Sequence, residues 1–334
     1  MNLNDLQKVP ASSPFAILIY YIIDIVLFPI TAIGFVIQLL SFFAQRNSPV
    51  SGTASAPLMG RWSLHNFGTR WDEPASRLMM AISGFNVTLT AGPGILAHRV
   101  SGYVPPEFRY PLKGEVTMGN EGWHRQKFFD DVLDKYLPGI TQFVILGAGF
   151  DTRDLRMKGI PKYAPVRSFE VDAPATQAFK RQKLAQARID SAGVAFVPAD
   201  FEKDDWLAQL INAGFNPGQP ALFIWEGVTM YLDEAAIKDT LRKIAGTAKG
   251  SILAFDYYTS EVLTSQAFTM RAIRASLKSS GEPLKFGVDA TPPSRQGLAD
   301  LLQSCGLTLV EQQTLGQETE GKRAWGGFAV AATA

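Results

Sequence analysis

From Gln142 to the C-terminus the chain alternates apolar runs with amphipathic ones, and this alternation restricts the fold more than any other feature. The apolar runs are QFVILG from Gln142, VRSFEVD from Val166, VAFVPAD from Val194, ALFIWEG from Ala221 and SILAFDYY from Ser251. Helical stretches such as PATQAFKRQKLAQARI and DEAAIKDTLRKIAGTA lie between them. Near-continuous apolar strands separated by helices predict a parallel sheet covered on both faces. The rhythm changes at the end: LTLVEQQ and WGGFAVAATA have no helix between them, which predicts an antiparallel pair closing the sheet. Upstream, WHRQKFFDDVLDKYL places Phe128, Phe129, Val132, Leu133 and Tyr136 on one helical face and delivers the chain to the first strand. With 334 residues, 46% hydrophobic and 19% charged, the chain suffices for one large domain with additions.

The first strand runs into FVILGAGFDTRDLRM, residues 143–157, which has the grammar of a nucleotide-binding turn. Gly147 and Gly149 let the backbone approach a ligand, and the helix start beyond them offers free N–H groups. A dinucleotide fingerprint G-x-G-x-x-G wants glycine where this chain has Thr152, and the Gly-Lys-Ser/Thr of a P-loop is absent. A ligand with one nucleoside and a non-phosphate tail fits better, and S-adenosylmethionine is such a ligand. Asp172 ends the second strand, at a spacing from Gly147 near the roughly 20 residues at which dinucleotide folds place a ribose-binding acid. Glu170 is the nearer alternative. Asp200 and Phe201 end the third strand, where a carboxylate meets an adenine amino group and a ring meets its edge. Glu226 ends the fourth, near the ligand's amino group. Any one acid after a strand is commonly a helix cap, but several at strand carboxyl ends, where open α/β sheets bind ligands, strain that account.

LGAGFDTR, FEVDAPATQAFKRQKL, VPADF and WEGVTMYL, in this order and preceded by RQKFFDD, resemble the leucine carboxyl methyltransferase family of S-adenosylmethionine-dependent O-methyltransferases, from about Arg61 to the C-terminus. The resemblance implies a Rossmann-like methyltransferase sheet, mostly parallel with a C-terminal antiparallel strand and helices on both faces. It also implies that Arg125 grips the cofactor's methionine carboxylate, that Gly147 and Gly149 line it, and that Asp172 holds the ribose. Asp200 and Phe201 would hold the adenine and Glu226 the α-amino group. Family members commonly read Ala-Arg-Thr where this chain has His124-Arg125-Gln126.

A carboxylate acceptor, with an ordinary pKa of about 4, is already the anion at neutral pH and needs no general base. His65, His98 and His124 show no metal-ligand spacing, and no metal is expected. Tyr231 and Arg109 are the candidate substrate contacts, with Arg61 and Arg70 as further candidates, because the arginine fork binds both carboxylate oxygens. A surface salt bridge is the competing use for each arginine. A net charge of +1 and no long Lys/Arg run leave nucleic acid unexpected as a partner. Cys305 is the only cysteine, which excludes an internal disulfide, fits a reducing compartment and suits a small buried residue before Gly306. The expected function is O-methylation of a lipophilic small-molecule carboxylate. The alternatives are a protein C-terminal carboxyl methyltransferase and a non-catalytic S-adenosylmethionine-binding module; a nicotinamide oxidoreductase is disfavoured by Thr152.

Residues 15–44 read FAILIYYIIDIVLFPITAIGFVIQLLSFFA, with Asp24 the only charge. The run exceeds the roughly 20 apolar residues that cross a bilayer, so residues 1–45 are expected to form an apolar helical segment and candidate membrane anchor. Pro29 and Gly34 are expected to kink a single tilted helix or to allow a re-entrant turn. The alternative is an apolar helix that covers the catalytic domain or joins a dimer. Lys8 and Arg46 do not set its orientation. Residues 46–60, small, polar and proline-bearing, read as a linker. Residues 61–334 are then the methyltransferase domain, with a substrate-covering part at about 61–136, and the protein is expected in the cytoplasm, membrane-associated, with this domain on the cytosolic side.

Overall fold

A computed structural model describes residues 12–45, 48–279, 281–289, 291, 293–319 and 322–333, without the side chains of 42–45. Lys8 and Arg46 lie outside the described residues. The described residues form two compact units, one within 12–114, 150–160 and 179–191, the other within 115–149, 161–178 and 192–333.

The larger unit holds one sheet of seven strands: β1 (Gln142–Leu146), β2 (Arg167–Asp172), β3 (Val194–Pro198), β4 (Ala221–Trp225), β5 (Ile252–Tyr258), β6 (Leu307–Leu315) and β7 (Gly326–Thr333), in the order β3-β2-β1-β4-β5-β7-β6. Strands β1–β5 pair in parallel, Val144 opposite Phe169 on one side and Phe223 on the other. Every side chain of β1 and β4 is buried, on both faces. β7 lies antiparallel between β5 and β6. Such a short connection from β6 cannot return the chain for parallel pairing, so the fold class read from the sequence is the one observed. All seven predicted strands fall within a residue or two of their expected places.

The order of helices along the whole chain is α1 (Pro14–Gln45), α2 (Ser55–Asn66), α3 (Glu73–Thr90), α4 (Gly92–Ser101), α5 (Glu121–Tyr136), α6 (Arg153–Met157), α7 (Pro174–Gln186), α8 (Trp206–Asn212), α9 (Glu234–Ala245), α10 (Ser260–Thr264), α11 (Phe268–Ser279) and α12 (Ser294–Ser304). In the larger unit, α5 buries Phe129, Val132 and Leu133 as its periodicity predicts, and Phe128 stacks on Phe328 of β7. Asp205 and Asp233 cap α8 and α9 by accepting from Ala208 N and Ala236 N. Cys305 is buried and Gly306 takes a left-handed φ of 87°, the turn expected there.

In the smaller unit the segment expected as a linker over 46–60 turns helical at Ser55, and α2 buries Leu58, Trp62 and Leu64. The small and polar residues before it hid this helix, whose apolar anchors sit mostly beyond Gly60. Asp72 caps α3 by accepting from Ala75 N at 3.1 Å, and Pro74 occupies the first turn, where its missing N–H costs no bond. Pro29 lies inside α1, which runs as one helix, while α3 carries a non-helical Ser83. α1 packs against both α3 and α4. A chain shortened to begin near Arg61 therefore cuts α2 and uncovers the faces of α3 and α4 that α1 occupies.

Candidate active site at the carboxyl ends of the strands

The glycine turn after β1 is built for close approach. Gly147 has φ of 65°, and a Cβ there would stand 2.3 Å from Val228 Cγ2. Its N–H and that of Ala148 both donate to Val171 O, at 2.8 and 3.1 Å. Gly149 N donates to Asp172 Oδ2, and Ala173 N donates to Asp172 Oδ1 at 2.6 Å. The turn and the Asp172 carboxylate are thus fixed to each other by backbone donors, while a carboxylate's two oxygens keep capacity for further bonds. Because β2 runs through Asp172, Glu170 faces the same side of the strand, two residues deeper and 1% exposed. It is the less accessible of the two candidates.

Asp200, just past β3, accepts from Glu202 N at 3.0 Å and from Lys203 Nζ at 2.6 Å. Partial burial pushes its pKa up, but Lys203 and the Glu202 N–H outweigh this and hold it below the ordinary value. Phe201 is buried, its ring 6.0 Å from Trp206 and 6.3 Å from Trp225. Asp200 and Phe201 thus stand together just past the end of β3.

The densest electrostatics surround Arg125 of α5. Its Nε lies 2.9 Å from Asp256 Oδ2 of β5, and its Nη2 contacts Glu121 Oε1 one helical turn back. Tyr258 Oη donates to Glu121 Oε2 at 3.2 Å. Asp256 also accepts from Gly227 N at 2.6 Å, and its backbone oxygen accepts from Thr229 Oγ1 at 2.7 Å. One buried carboxylate therefore ties α5 to the turn after β4, which carries Glu226 and Val228. Arg125 Nη1 faces Gly227, 3.5 Å from where a Cβ would stand. Asp256, Glu121 and Tyr258 are the members that sequence reading missed. Their one signal was an acid inside the apolar run ILAFDYY, which has no business in a buried strand without a partner.

Burial raises the Asp256 pKa to about 6; Arg125 and the Gly227 N–H pull it down, while Glu226 and Glu121 push it up again. Burial would lower the Arg125 pKa, but Asp256, Glu121, Tyr258 and Glu226 together raise it and keep the guanidinium charged. The physical content is a surplus of acid: one arginine serves three carboxylates. Since folded Asp256 holds its proton more tightly than the unfolded chain does, its contribution is fully present below the ordinary carboxylate pKa. That contribution is lost as pH rises through about 6. Unfolding free energies of the wild type minus those of Asp256→Asn should therefore fall between pH 4 and 7 and level off above. A flat difference in denaturant titrations across that range would refute this.

The proposed substrate contacts fare differently. Tyr231 is half-buried at the end of the short turn Thr229–Tyr231 in the larger unit. In the smaller unit, Arg109 Nε donates to Val104 O at 2.9 Å and its guanidinium lies over the Tyr103 ring. Arg61 and Arg70 are neither exposed nor in surface pairs. Arg61 pairs with Asp151 at 2.9 Å and Arg70 with Asp72 at 2.7 Å, all within 5% exposure. Asp151 also pairs with Arg153, its backbone oxygen accepts from Lys180 Nζ, and Thr152 Oγ1 donates to Asp72 Oδ1 at 3.0 Å. Burial opposes ionisation of Asp151, but Arg153, Arg61 and Lys180 hold its carboxyl well below the usual range. The Asp-Thr-Arg of the glycine turn thus joins α2, α3 and the 150–160 segment. His65 Nδ1 accepts from Asp72 N and His98 Nδ1 meets Tyr103 O, both as backbone-bonded residues.

The sequence model of the leucine carboxyl methyltransferase family matches residues 108–245, which carry Arg125, the glycine turn, Asp172, Asp200 and Glu226. This stretch is similar to the leucine carboxyl methyltransferase family. A Streptomyces avermitilis protein named "Putative S-adenosyl-L-methionine-dependent methyltransferase" is 34% identical over 51% of this chain and 53% of its own length. A Mycolicibacterium smegmatis protein of the same name is 34% identical over 54% of this chain and 57% of its own. The chain spans about half the length of the curated relatives it matches. Among solved structures, a DUF574 family protein from Streptomyces avermitilis aligns with a TM-score of 0.46 and 15% identity, over 86% of this chain and all of that one. The match ends before β5, so Asp256 of the Arg125 cluster lies outside the matched residues.

Proposed function

We propose that the chain is an S-adenosylmethionine-dependent methyltransferase that esterifies the carboxylate of a lipophilic small molecule. The observation that carries this reading is the assembly, at the carboxyl ends of adjacent strands, of the Gly147 cradle, the Asp172 carboxylate and the acid-rich cluster around Arg125. The residues fit the cofactor. Gly147 leaves room for nothing larger than hydrogen beside Val228, and Arg125 Nη1 is directed to Gly227 beside Glu226. One cation among Glu121, Glu226 and Asp256 leaves the site rich in negative charge, which suits the cofactor's ammonium and sulfonium while Arg125 takes its carboxylate.

When bound, S-adenosylmethionine supplies an electrophilic methyl on a sulfonium. The protein's part is placement, which is worth on the order of 7–11 kcal/mol when reacting atoms are held in line. In this reading Asp172 accepts from the ribose hydroxyls, Asp200 and Phe201 meet the adenine, and Glu226 accepts from the α-ammonium. Tyr231 and Arg109 are the proposed acceptor contacts, with no base required for a carboxylate. α1, long and apolar enough over Pro14–Ser41 to cross a membrane, is proposed to anchor the protein and to gather such acceptors, with the catalytic part on the cytosolic face.

Two measurements test the reading. Calorimetry should show binding of S-adenosylmethionine and its demethylated product, and Asp172→Ala should weaken it by about 1.5–3 kcal/mol, roughly 10- to 150-fold in Kd. Heat with a nicotinamide dinucleotide and none with S-adenosylmethionine would overturn the cofactor. Incubation of cell extract with the protein and labelled cofactor should yield small molecules heavier by one methylene whose new group is released by ester hydrolysis. Label confined to protein would favour the protein-directed alternative.

A further inference from the structure

The second apolar stretch of the smaller unit extends the membrane reading of α1. Residues 78–97 contain no charged side chain, and Arg77 and Arg99 flank them. They form most of α3 and most of α4, two helices bent 70° from one another at Ala91. Phe85 is 74%, Leu96 50% and Val100 61% exposed, large apolar side chains on or beside an uncharged stretch that water does not favour. Two hydroxyls here bond their own helix backbone: Thr88 Oγ1 donates to Gly84 O at 2.7 Å and Thr90 Oγ1 to Asn86 O at 3.0 Å. At the break, Ala91 N donates to Val87 O and Ile95 N to Ala91 O, so the bend leaves these backbone groups satisfied without water, as an apolar phase demands.

This bent pair is fastened to α1 by glycines. A Cβ on Gly34 would stand 2.8 Å from Leu89 Cβ and from Thr90 N, at the break itself, and one on Gly94 would stand 3.3 Å from Tyr20 Oη. Close crossings on small residues are how helices pack where lipid surrounds them. The exposed apolar residues of α1, among them Ile25, Val26, Phe28, Phe35 and Val36, cover more than half of the helix circumference at 100° per residue. A second copy of the chain would cover one face of such a helix; acyl chains cover them all.

We propose that α3 and α4 form a lipid-inserted, re-entrant element that packs on α1, making residues 14–41 and 78–97 one membrane-embedded unit. α4, with ten residues, is about 15 Å long and cannot cross a hydrocarbon core of about 30 Å, so the pair enters one leaflet and returns. The proposal rests on the membrane reading of α1 and does not depend on the methyl acceptor.

The test uses the full chain with single cysteines carrying the environment-sensitive fluorophore NBD at Phe85→Cys, Leu96→Cys, Ile25→Cys on α1 and Val310→Cys on β6, the unsubstituted chain serving as blank because Cys305 is buried. In phosphatidylcholine–phosphatidylglycerol vesicles, positions 85, 96 and 25 should shift to the blue and lose fluorescence with doxyl-labelled acyl chains, and position 310 should not. Quenching at 25 alone overturns the proposal and leaves the α1 anchor standing; quenching at none overturns both. Hydrogen exchange on the unsubstituted protein reads the same question without a variant: added vesicles should protect peptides spanning 78–97. Protection that instead follows protein concentration without lipid would assign the surface to a second copy and overturn the proposal.

Discussion

Arg125→Ala is expected to lower the unfolding free energy by about 3–5 kcal/mol, the cost of leaving buried carboxylates without their cation, and to abolish measurable cofactor binding. Asp256 is 1% exposed and has Arg125 as its ion-pair partner, and Glu121 shares the same guanidinium. Arg125→Lys separates the two consequences. An ammonium restores charge, but it has no planar fork with which to meet Asp256, Glu121 and a ligand carboxylate at once. Stability should return in part while affinity for S-adenosylmethionine stays low. Chemical denaturation and calorimetry on both variants check this, and full affinity in the lysine variant would show that the cluster is a structural ion pair with no ligand to hold.

Gly147→Ala is the second severe change, and it acts through shape. At φ of 65° an alanine sits in the left-handed region that costs an L-residue about 1–2 kcal/mol. Its methyl would also overlap Val228, whose Cγ2 stands 2.3 Å away, and such overpacking adds typically about 1–3 kcal/mol. Relief requires moving the turn after β4, which carries Glu226 and is tied to Asp256 through Gly227 N. We expect a loss of about 2–5 kcal/mol from these two costs together and a cofactor affinity reduced beyond that of Asp172→Ala. The double variant Gly147→Ala/Val228→Ala opens the space and should recover part of the stability, leaving the backbone cost. No recovery would mean that the φ angle, and not Val228, is the constraint.

Much of this protein is legible from residue order alone. Continuous burial on both faces requires the apolar runs to be parallel central strands, so their places, their class and the antiparallel end follow from local pattern. The places of the glycine turn, Asp172, Asp200 and Glu226 at or just past the carboxyl ends of strands are legible for the same reason. Local pattern says nothing about which distant charges meet. Asp256 joins Arg125 and Gly227 only because β4 and β5 are neighbours and α5 packs on that side of the sheet. Arg61 and Arg70 are equally polar in sequence whether they face solvent or Asp151 and Asp72, and tertiary packing put them inside. α2 formed across residues with a linker's composition because burying Leu58, Trp62 and Leu64 outweighs weak local propensity. The length and apolarity of α1 are written in its residues. That it docks closely on the end of α3 depends on Gly34, whose hydrogen lets the helices approach where a side chain would meet the Leu89–Thr90 backbone at 2.8 Å.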